Sequence, residues 1–391
     1  MLDEAVRTLK PTTPEEVRAI LAEAGAAARH VEVIGAGTKR AIGALDRVDV
    51  VLSTQRLDRI VDYSPEELVL TVQPGVRMAD LERLTAARGQ MLAFEPPNWT
   101  RLLGARGEPT LGGVLAANLS GPRRIRAGAA RDHFLGFEAV SGRGELFKAG
   151  GKVVKNVTGY DLMKLMAGSW GTLAVLTEVT VKVVPAPRTQ VTLLLFGLAD
   201  VKASEAMGLA MNTPHEVTGA AHLPSYAAHA RPLKAQMPVT ALRLEGFEAS
   251  VAARAEALAA LLKPFGRIEM LDVAHSREFW DQVREVDAFA GDPRPLWRLS
   301  LPPAVGWRGP HGLPGDALYD WAGGQAWLMT EEPAAKVRAV AAGLGGHALC
   351  LRGAAPAFGP RSGALGELQG RVKAAFDPLG VLNPGRMEGG G

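Results

Sequence analysis

Val17, Ile20, Leu21 and Ala24 recur at the three- and four-residue spacing of one helical face. Thr13-Pro14-Glu15-Glu16 precedes them with an N-cap, a proline at the first helical position and a capping-box acid, and Gly25 ends the run. β-Branched runs then take over. "VEVIG", "VDVVLST" and "ELVLTVQPG" read as three strands, the last closing in a Pro-Gly turn. "MADLERLTAARG" returns to helical spacing, with Leu81 and Leu84 inward and Gly89 as its stop. "FLGFEAVSGRGELFKAGG" predicts a hairpin turning at Gly142-Arg143-Gly144, and "GYDLMKLMAGSWG" a short helix. "TLAVLTEVTVKVVP" predicts a long strand with Val175, Thr177, Val179, Val181 and Val183 on one face.

That pattern stops at "PAPRT", Pro185 to Thr189, where a proline-rich stretch marks a domain boundary. Beyond it come a strand, "QVTLLLFGL", and a helix, "EASVAARAEALAALLKPFG", in a half that holds Trp280, Trp297, Trp307, Trp321 and Trp327. The chain closes with "ELQGRVKAAFDPLGVLNPGRM", a helix followed by a proline-punctuated tail. Short helices mixed with many strands give an α+β class rather than regular βαβ alternation. The expected division is residues 1–188, 189–345 and 346–391.

Composition narrows the function more than the fold. The chain has 391 residues, enough for two or three domains, and a formal charge of +3 that is small for this length. Short basic runs such as "GPRRIRAG" read as solvated loops, so nucleic acid is not an expected partner. The single cysteine, Cys350, excludes an internal disulfide framework, a thiolate zinc site and an iron–sulfur cluster held by this chain alone. "MLDEAVRTLK" is not a secretory signal, and no apolar run approaches the ~20 residues of a membrane span. The expected location is the cytoplasm, with attachment to the inner face of the cell membrane through partners as the alternative.

"VEVIGAGTKRAIG" raises the question of a nucleotide. A dinucleotide fingerprint needs a third glycine where Arg40 stands, and "AIGALDR" carries no helical apolar stripe. A nicotinamide-dependent reductase is therefore disfavoured. Consecutive amides from Gly35 to Lys39 still form an anion nest that no side chain blocks. Alone, the loop reads equally as a tight hairpin without a ligand.

The ordered series "EPPNWT", "PTLGGVLAANLSGPRRIRAGAARDHFLGFEAVSGRGE" and "NVTGYDLMKLMAGSWGTLAVLTEVTVKVVP" closely resembles the flavin-binding domain of the vanillyl-alcohol oxidase and p-cresol methylhydroxylase family. Together with "LWRLSLP", "LPGDALYDWAGGQAWL" and "GGHA", it looks like the E-subunit branch of the bacterial glycolate oxidases, over almost the whole chain. The resemblance implies a two-subdomain FAD-binding domain, an α+β cap and a C-terminal segment, "AAFDPLGVLNPGRM", returning to the flavin domain.

It also implies the site. Gly35, Ala36, Gly37, Thr38 and Lys39 hold the FAD pyrophosphate, and Gly43 lets the loop turn. Pro97, Thr110, Gly112 and Gly113 approach the ribityl chain and ring, Gly112 and Gly113 at a helix start that favours negative charge. Asn118, Ser120 and Gly121 continue along the cofactor, Gly128, Arg131 and Asp132 occupy the next turn, and Thr172, Val175 and Glu178 complete the adenine side. No histidine or cysteine stands in either glycine loop and His133 lies beyond both, so FAD is expected to be non-covalent, with His133 a satisfied turn residue.

On the substrate side, relatives that oxidise D-2-hydroxy acids carry a "GHxGDGNxH"-like stretch, where this chain has "GGHALCLRG" with His347 alone. No metal is expected. Arg284 in "FWDQVRE" is the position carried over for the substrate carboxylate, with Arg298 in "LWRLSLP" the weaker candidate. The implied chemistry is oxidation of glycolate or another short 2-hydroxy acid. The electrons pass to an iron–sulfur subunit, in a complex with a paralogous FAD-binding D subunit. Either this subunit is itself catalytic, or it carries FAD as a relay or scaffold while the paralogue does the chemistry.

Overall fold

The computed structural model describes residues 6–43, 45–151, 160–229, 235–360 and 363–388. Asn156 to Gly159, part of the motif quoted above, lies outside the described residues. Near the N-terminus, β1 (Arg7–Leu9), β2 (Val31–Ile34) and β3 (Val50–Ser53) form a parallel sheet in the order β1-β3-β2. The helix Pro14–Ala26 crosses between β1 and β2 and packs Val17, Leu21 and Ala24 against Val31, Leu52 and Val140. Thr13 caps it by accepting the Glu16 amide, but the Glu16 carboxylate reaches the amide of Thr12 instead of Thr13. The helix also runs one residue past Gly25. Because β2 and β3 are parallel, the glycine turn between them opens a crossover and cannot be a tight hairpin.

A second sheet is antiparallel. It contains β4 (Ile60–Ser64), β5 (Val69–Val72), β7 (Phe134–Ser141), β8 (Leu146–Gly150) and β9 (Ala174–Lys182) in the order β4-β5-β9-β7-β8. Two short strands, β6 (Gln90–Met91) and β10 (Val184–Pro185), pair beside it. The hairpin β7–β8 forms as its pattern predicts, with Gly144 at φ +74° in the turn. β9 lies at the centre and is buried on both faces, so its alternating valines do not separate a wet side from a dry one. β1 and β4, too short or too exposed to show a clear period, are additions to the sequence reading.

The second half is built on one antiparallel sheet of eight strands. These are β11 (Thr189–Phe196), β12 (Gly219–Leu223), β13 (Val239–Gly246), β14 (Ile268–Leu271), β15 (Leu296–Ser300), β16 (Asp316–Asp320), β17 (Gln325–Met329) and β18 (His347–Arg352). Their order is β14-β11-β13-β12-β16-β17-β15-β18. The helices Asp200–Met211 and Glu248–Leu262 cover one face. The other face meets the first half, where Trp327 and Trp99 touch edge-on at 5.3 Å between ring centres. β18 belongs to this sheet through its pairing with β15. Val381 and Leu382 then pack beside Val31, and Asn383 accepts the Val33 amide at 2.8 Å.

The two halves are joined by buried charge. Arg243 on β13 is 1% exposed and grips both carboxylate oxygens of Glu95 at 3.0 Å. Arg123 lies between Glu95, at 3.0 Å, and Glu245, at 2.6 Å. Two acids and two arginines cancel, and most of their donors and acceptors are used. Burial opposes the charge on Glu245, yet Arg243 and Arg123 hold its carboxyl down at about 2. Asp320 at the end of β16 fares differently. It is 2% exposed, and burial, reinforced by the charge of Glu95, pushes it up to about 7, although it accepts the Trp321 amide at 2.7 Å.

Replacing Arg243 by Met strands Glu95 on one partner and is expected to cost about 3–5 kcal/mol, read as a lowered unfolding midpoint. Adding Glu95→Gln should recover part of that loss; a strictly additive double variant would contradict the coupling. Asp320 has a folded value above its ordinary 3.8, so the folded state binds more protons than the unfolded state between pH ~4 and ~7. Stability therefore falls as pH rises through that window, by up to roughly 4 kcal/mol. Asp320→Asn should raise the melting temperature at pH 8 and leave it nearly unchanged at pH 4. An equal gain at both pH values would mean that Asp320 does not titrate near neutrality.

Candidate functional site

The turn after β2 is held from behind. Ser53 donates its hydroxyl to the Gly35 carbonyl at 2.9 Å, and Gly37 takes φ +73°. The amides of Ala36, Gly37, Thr38 and Lys39 donate to no acceptor among the described residues. No helix follows the turn. Arg40, the residue that breaks the dinucleotide pattern, instead pairs with Glu32, which is 1% exposed and also bound by Arg386 at 3.0 Å. Lys39 is buried and donates to the Asn98 carbonyl at 2.9 Å. Burial pushes its ammonium down to about 8, with the charge of Glu285 pulling the other way.

The facing wall is the start of the six-residue helix Leu111–Ala116, capped by Thr110. A Cβ on Gly35 would stand 2.3 Å from the Thr110 hydroxyl, and one on Gly112 would stand 2.4 Å from Pro74 Cβ and 2.9 Å from its carbonyl oxygen. Between the turn and this wall runs a cleft that opens to solvent.

The cleft brings together Gly35, Ala36, Gly37, Thr38, Lys39, Thr110, Gly112 and Gly113. The remaining candidates lie outside its lining. Asn118, at φ +49°, accepts the Arg131 amide at 3.1 Å; Ser120 accepts the Ala130 amide at 2.9 Å. Asp132 accepts the Ala129 amide at 2.8 Å against Gly128. These five positions therefore tie one loop to itself. Gly121 packs under Glu95 and Gly43 under Arg386, while Pro97 is buried. Thr172 donates to the Ser169 carbonyl at 2.7 Å, Val175 is in the core with Val17 and Leu21, and Glu178 lies opposite Glu138 on β7.

The sequence reading missed Trp170, Gly171 and Arg386 as lining residues. The quoted "SWG" and "NPGRM" segments carried the signal for all three. His133 donates its Nε2–H to the Ala127 carbonyl at 2.8 Å, while its Nδ1 has no partner among the described residues. Burial lowers its pKa, so the ring is neutral at pH 7.

On the second half, Arg284 already has company. Glu285 accepts from its Nε at 2.9 Å and Asp281 lies 3.3 Å from it. Glu285 in turn accepts the amides of Asn98 and Trp99, at 3.0 and 2.9 Å. Arg298 has no hydrogen-bond or ion-pair partner among the described residues, and its Nε is buried. No group of three or more metal-ligating side chains gathers among the described residues.

Comparisons with known proteins agree with this geometry. A family model described as an FAD binding domain matches residues 6–150. The glycolate oxidase subunit GlcE of Escherichia coli (strain K12) is 36% identical over 332 residues, 84% of each chain. The glycolate oxidase subunit GlcD of Bacillus subtilis (strain 168) is 39% identical over 145 residues, which is 37% of this chain and 29% of that subunit. Among solved structures, p-cresol methylhydroxylase with substrate bound superposes with a TM-score of 0.68 at 15% identity, over 97% of this chain and 88% of the other. With one match extending over most of both chains and the fold shared, this chain belongs to the family of FAD-dependent oxidoreductases that includes the glycolate oxidase E subunit.

Proposed function

We propose that this chain is the FAD-carrying subunit of a glycolate-oxidase-type complex. In this reading it oxidises a short 2-hydroxy acid, such as glycolate to glyoxylate, and passes the electrons to an iron–sulfur partner. The observation that carries the reading is the match to GlcE over 84% of both chains, joined to a cleft whose walls suit a dinucleotide. Four adjacent amides without acceptors among the described residues fit a diphosphate, and the close packing of Gly35 on Thr110 and of Gly112 on Pro74 fixes the walls beside them.

FAD supplies a hydride acceptor that can release its electrons singly. The protein's part is placement. Ala36 to Lys39 take the diphosphate, and Lys39 adds a positive charge beside it. Gly112 and Gly113 admit the ribityl chain and ring, and the loop tied by Asn118, Ser120 and Asp132 keeps its shape next to them. FAD is held without a covalent tether. We propose residues 1–188 as the FAD-binding domain, the eight-stranded sheet and its helices as the cap, and the segment after Arg352 as the return. The resemblance of the first half to GlcD supports a paralogous D subunit as partner. The lone His347 favours a second reading, in which this chain relays electrons while the paralogue does the chemistry.

The purified chain should show an oxidised flavin spectrum, release FAD on acid precipitation and bleach anaerobically with glycolate or D-lactate. Bound FAD that none of these acids bleaches supports the relay; a chain that takes up no FAD contradicts both readings. Gly112→Ala should weaken FAD binding by more than about tenfold, because the added methyl meets backbone as well as Pro74. Gly208→Ala, in open space on a helix, should leave it unchanged.

A further inference from the structure

The two halves leave a second cavity beside the Pro185–Arg188 linker, and among the described residues none lines both it and the glycine cleft. Its walls come from β6, the end of β9, the linker, the helix Arg124–Ala127 and the end of β13. The frame is tied at three points. Val184 pairs with Met91, the Ala186 amide donates to the Gly89 carbonyl at 2.8 Å, and Thr189 pairs with Gly246. Pro185 and Pro187 fix the backbone between them, so the walls stand without a ligand.

The charges on these walls do not balance. Among the described residues that line the cavity, Glu245 is the one acid, and Arg123 already holds it at 2.6 Å. Arg126, Lys182 and Arg188 line it as well. Arg126 pairs with the exposed Glu216 at 2.6 Å, whereas Lys182 and Arg188 have no ion-pair partner among the described residues. An unpaired surface cation is ordinary; these two stand at a wall that is mostly apolar. Arg188 lies over the Phe247 ring at 5.4 Å, and Phe247 is 67% exposed. With Met91, Val184 and the two prolines, that ring makes an apolar surface edged by cations, the pattern of a small-molecule site.

His133 adds a third element. It lines the same cavity and is 6% exposed. Its Nε2–H goes to the Ala127 carbonyl, and Nδ1 stays buried with no donor among the described residues. Burial is the main reason that the ring is neutral, with the Lys182 charge acting in the same direction, so Nδ1 presents a lone pair. The Lys182 amide donates to the His133 carbonyl at 2.8 Å, which sets the two residues side by side. A buried polar atom without a partner is rare, and an N–H or O–H brought by a ligand satisfies this one.

We propose that this cavity is a second ligand site, for an organic anion with a flat apolar body and an N–H or O–H group. The anionic end meets Lys182 and Arg188, the body lies along Phe247 and the prolines, and the donor serves His133 Nδ1. A ligand there touches both halves and strengthens the contact between them. None of these residues has a part in holding FAD or a 2-hydroxy acid, so the site does not depend on that reading.

8-Anilinonaphthalene-1-sulfonate joins a sulfonate, flat rings and an N–H; N-phenyl-1-naphthylamine is its neutral counterpart. Fluorescence titrations and the probe-induced rise in melting temperature are measured on the full chain, with and without saturating FAD. The variants are Lys182→Met/Arg188→Met, Phe247→Ser and, as control, Arg267→Met, whose arginine lies over Phe196 at 5.5 Å outside this cavity. Wild type should bind the sulfonate more than about tenfold tighter than the neutral probe, and FAD should not displace it. The double variant should melt as wild type does, because neither charge has an acid to lose, yet bind the sulfonate more than about tenfold more weakly. Phe247→Ser should weaken binding too, and Arg267→Met should match wild type. The proposal is overturned if wild type does not bind the sulfonate, if the neutral probe binds equally well, if FAD displaces the sulfonate, or if the double variant binds it within about twofold of wild type. A chain that takes up no FAD but binds the sulfonate in this way keeps the site and loses the flavin reading.

Discussion

Two stretches of backbone far apart in sequence approach each other more closely than any side chain permits. Gly35 lies where a methyl group would strike the Thr110 hydroxyl, and Gly112 lies where one would strike Pro74. Everything attributed to the first half depends on that proximity. Ser53 holds the Gly35 carbonyl, and the four amides that follow donate to no acceptor among the described residues. A ligand rich in anionic oxygen would take up these donors.

The second constraint is electrostatic. Glu95, Arg123, Arg243 and Glu245 form a neutral buried cluster that fixes how the eight-stranded sheet faces the flavin-binding layers. Neutrality makes the cluster a scaffold, since it leaves no charge for a ligand. Arg284 pairs with Asp281 and with Glu285, and Glu285 also accepts the amides of Asn98 and Trp99.

Much of the first half was legible from residue order. The helix after Thr13, the hairpin at Gly144 and the long strand after Gly171 each follow a period and end in turn chemistry. The glycine turn was legible as an anion nest, but its surroundings were not. That β2 and β3 are parallel depends on strand pairing, which the local pattern does not encode. Arg40 read as a broken fingerprint because its purpose, pairing with a buried glutamate that Arg386 also holds, spans the whole chain. On the second half, "FWDQVRE" and "LWRLSLP" look alike as arginine-bearing motifs. Only the three-dimensional arrangement shows that one arginine is neutralised and the other is not. The family pattern places Val175 and Glu178 on the adenine side; in the fold Val175 packs in a core cluster between the cleft-lining Ala174 and Leu176, and Glu178 lies opposite Glu138.

Amide hydrogen exchange across the first glycine turn, with and without FAD, tests the account most directly. The amides of Ala36 to Lys39 have no acceptor among the described residues and should exchange freely in the flavin-free chain, then slow together with the Thr110–Gly113 segment once FAD is bound. A chain that binds FAD while those amides go on exchanging at their original rate would contradict it.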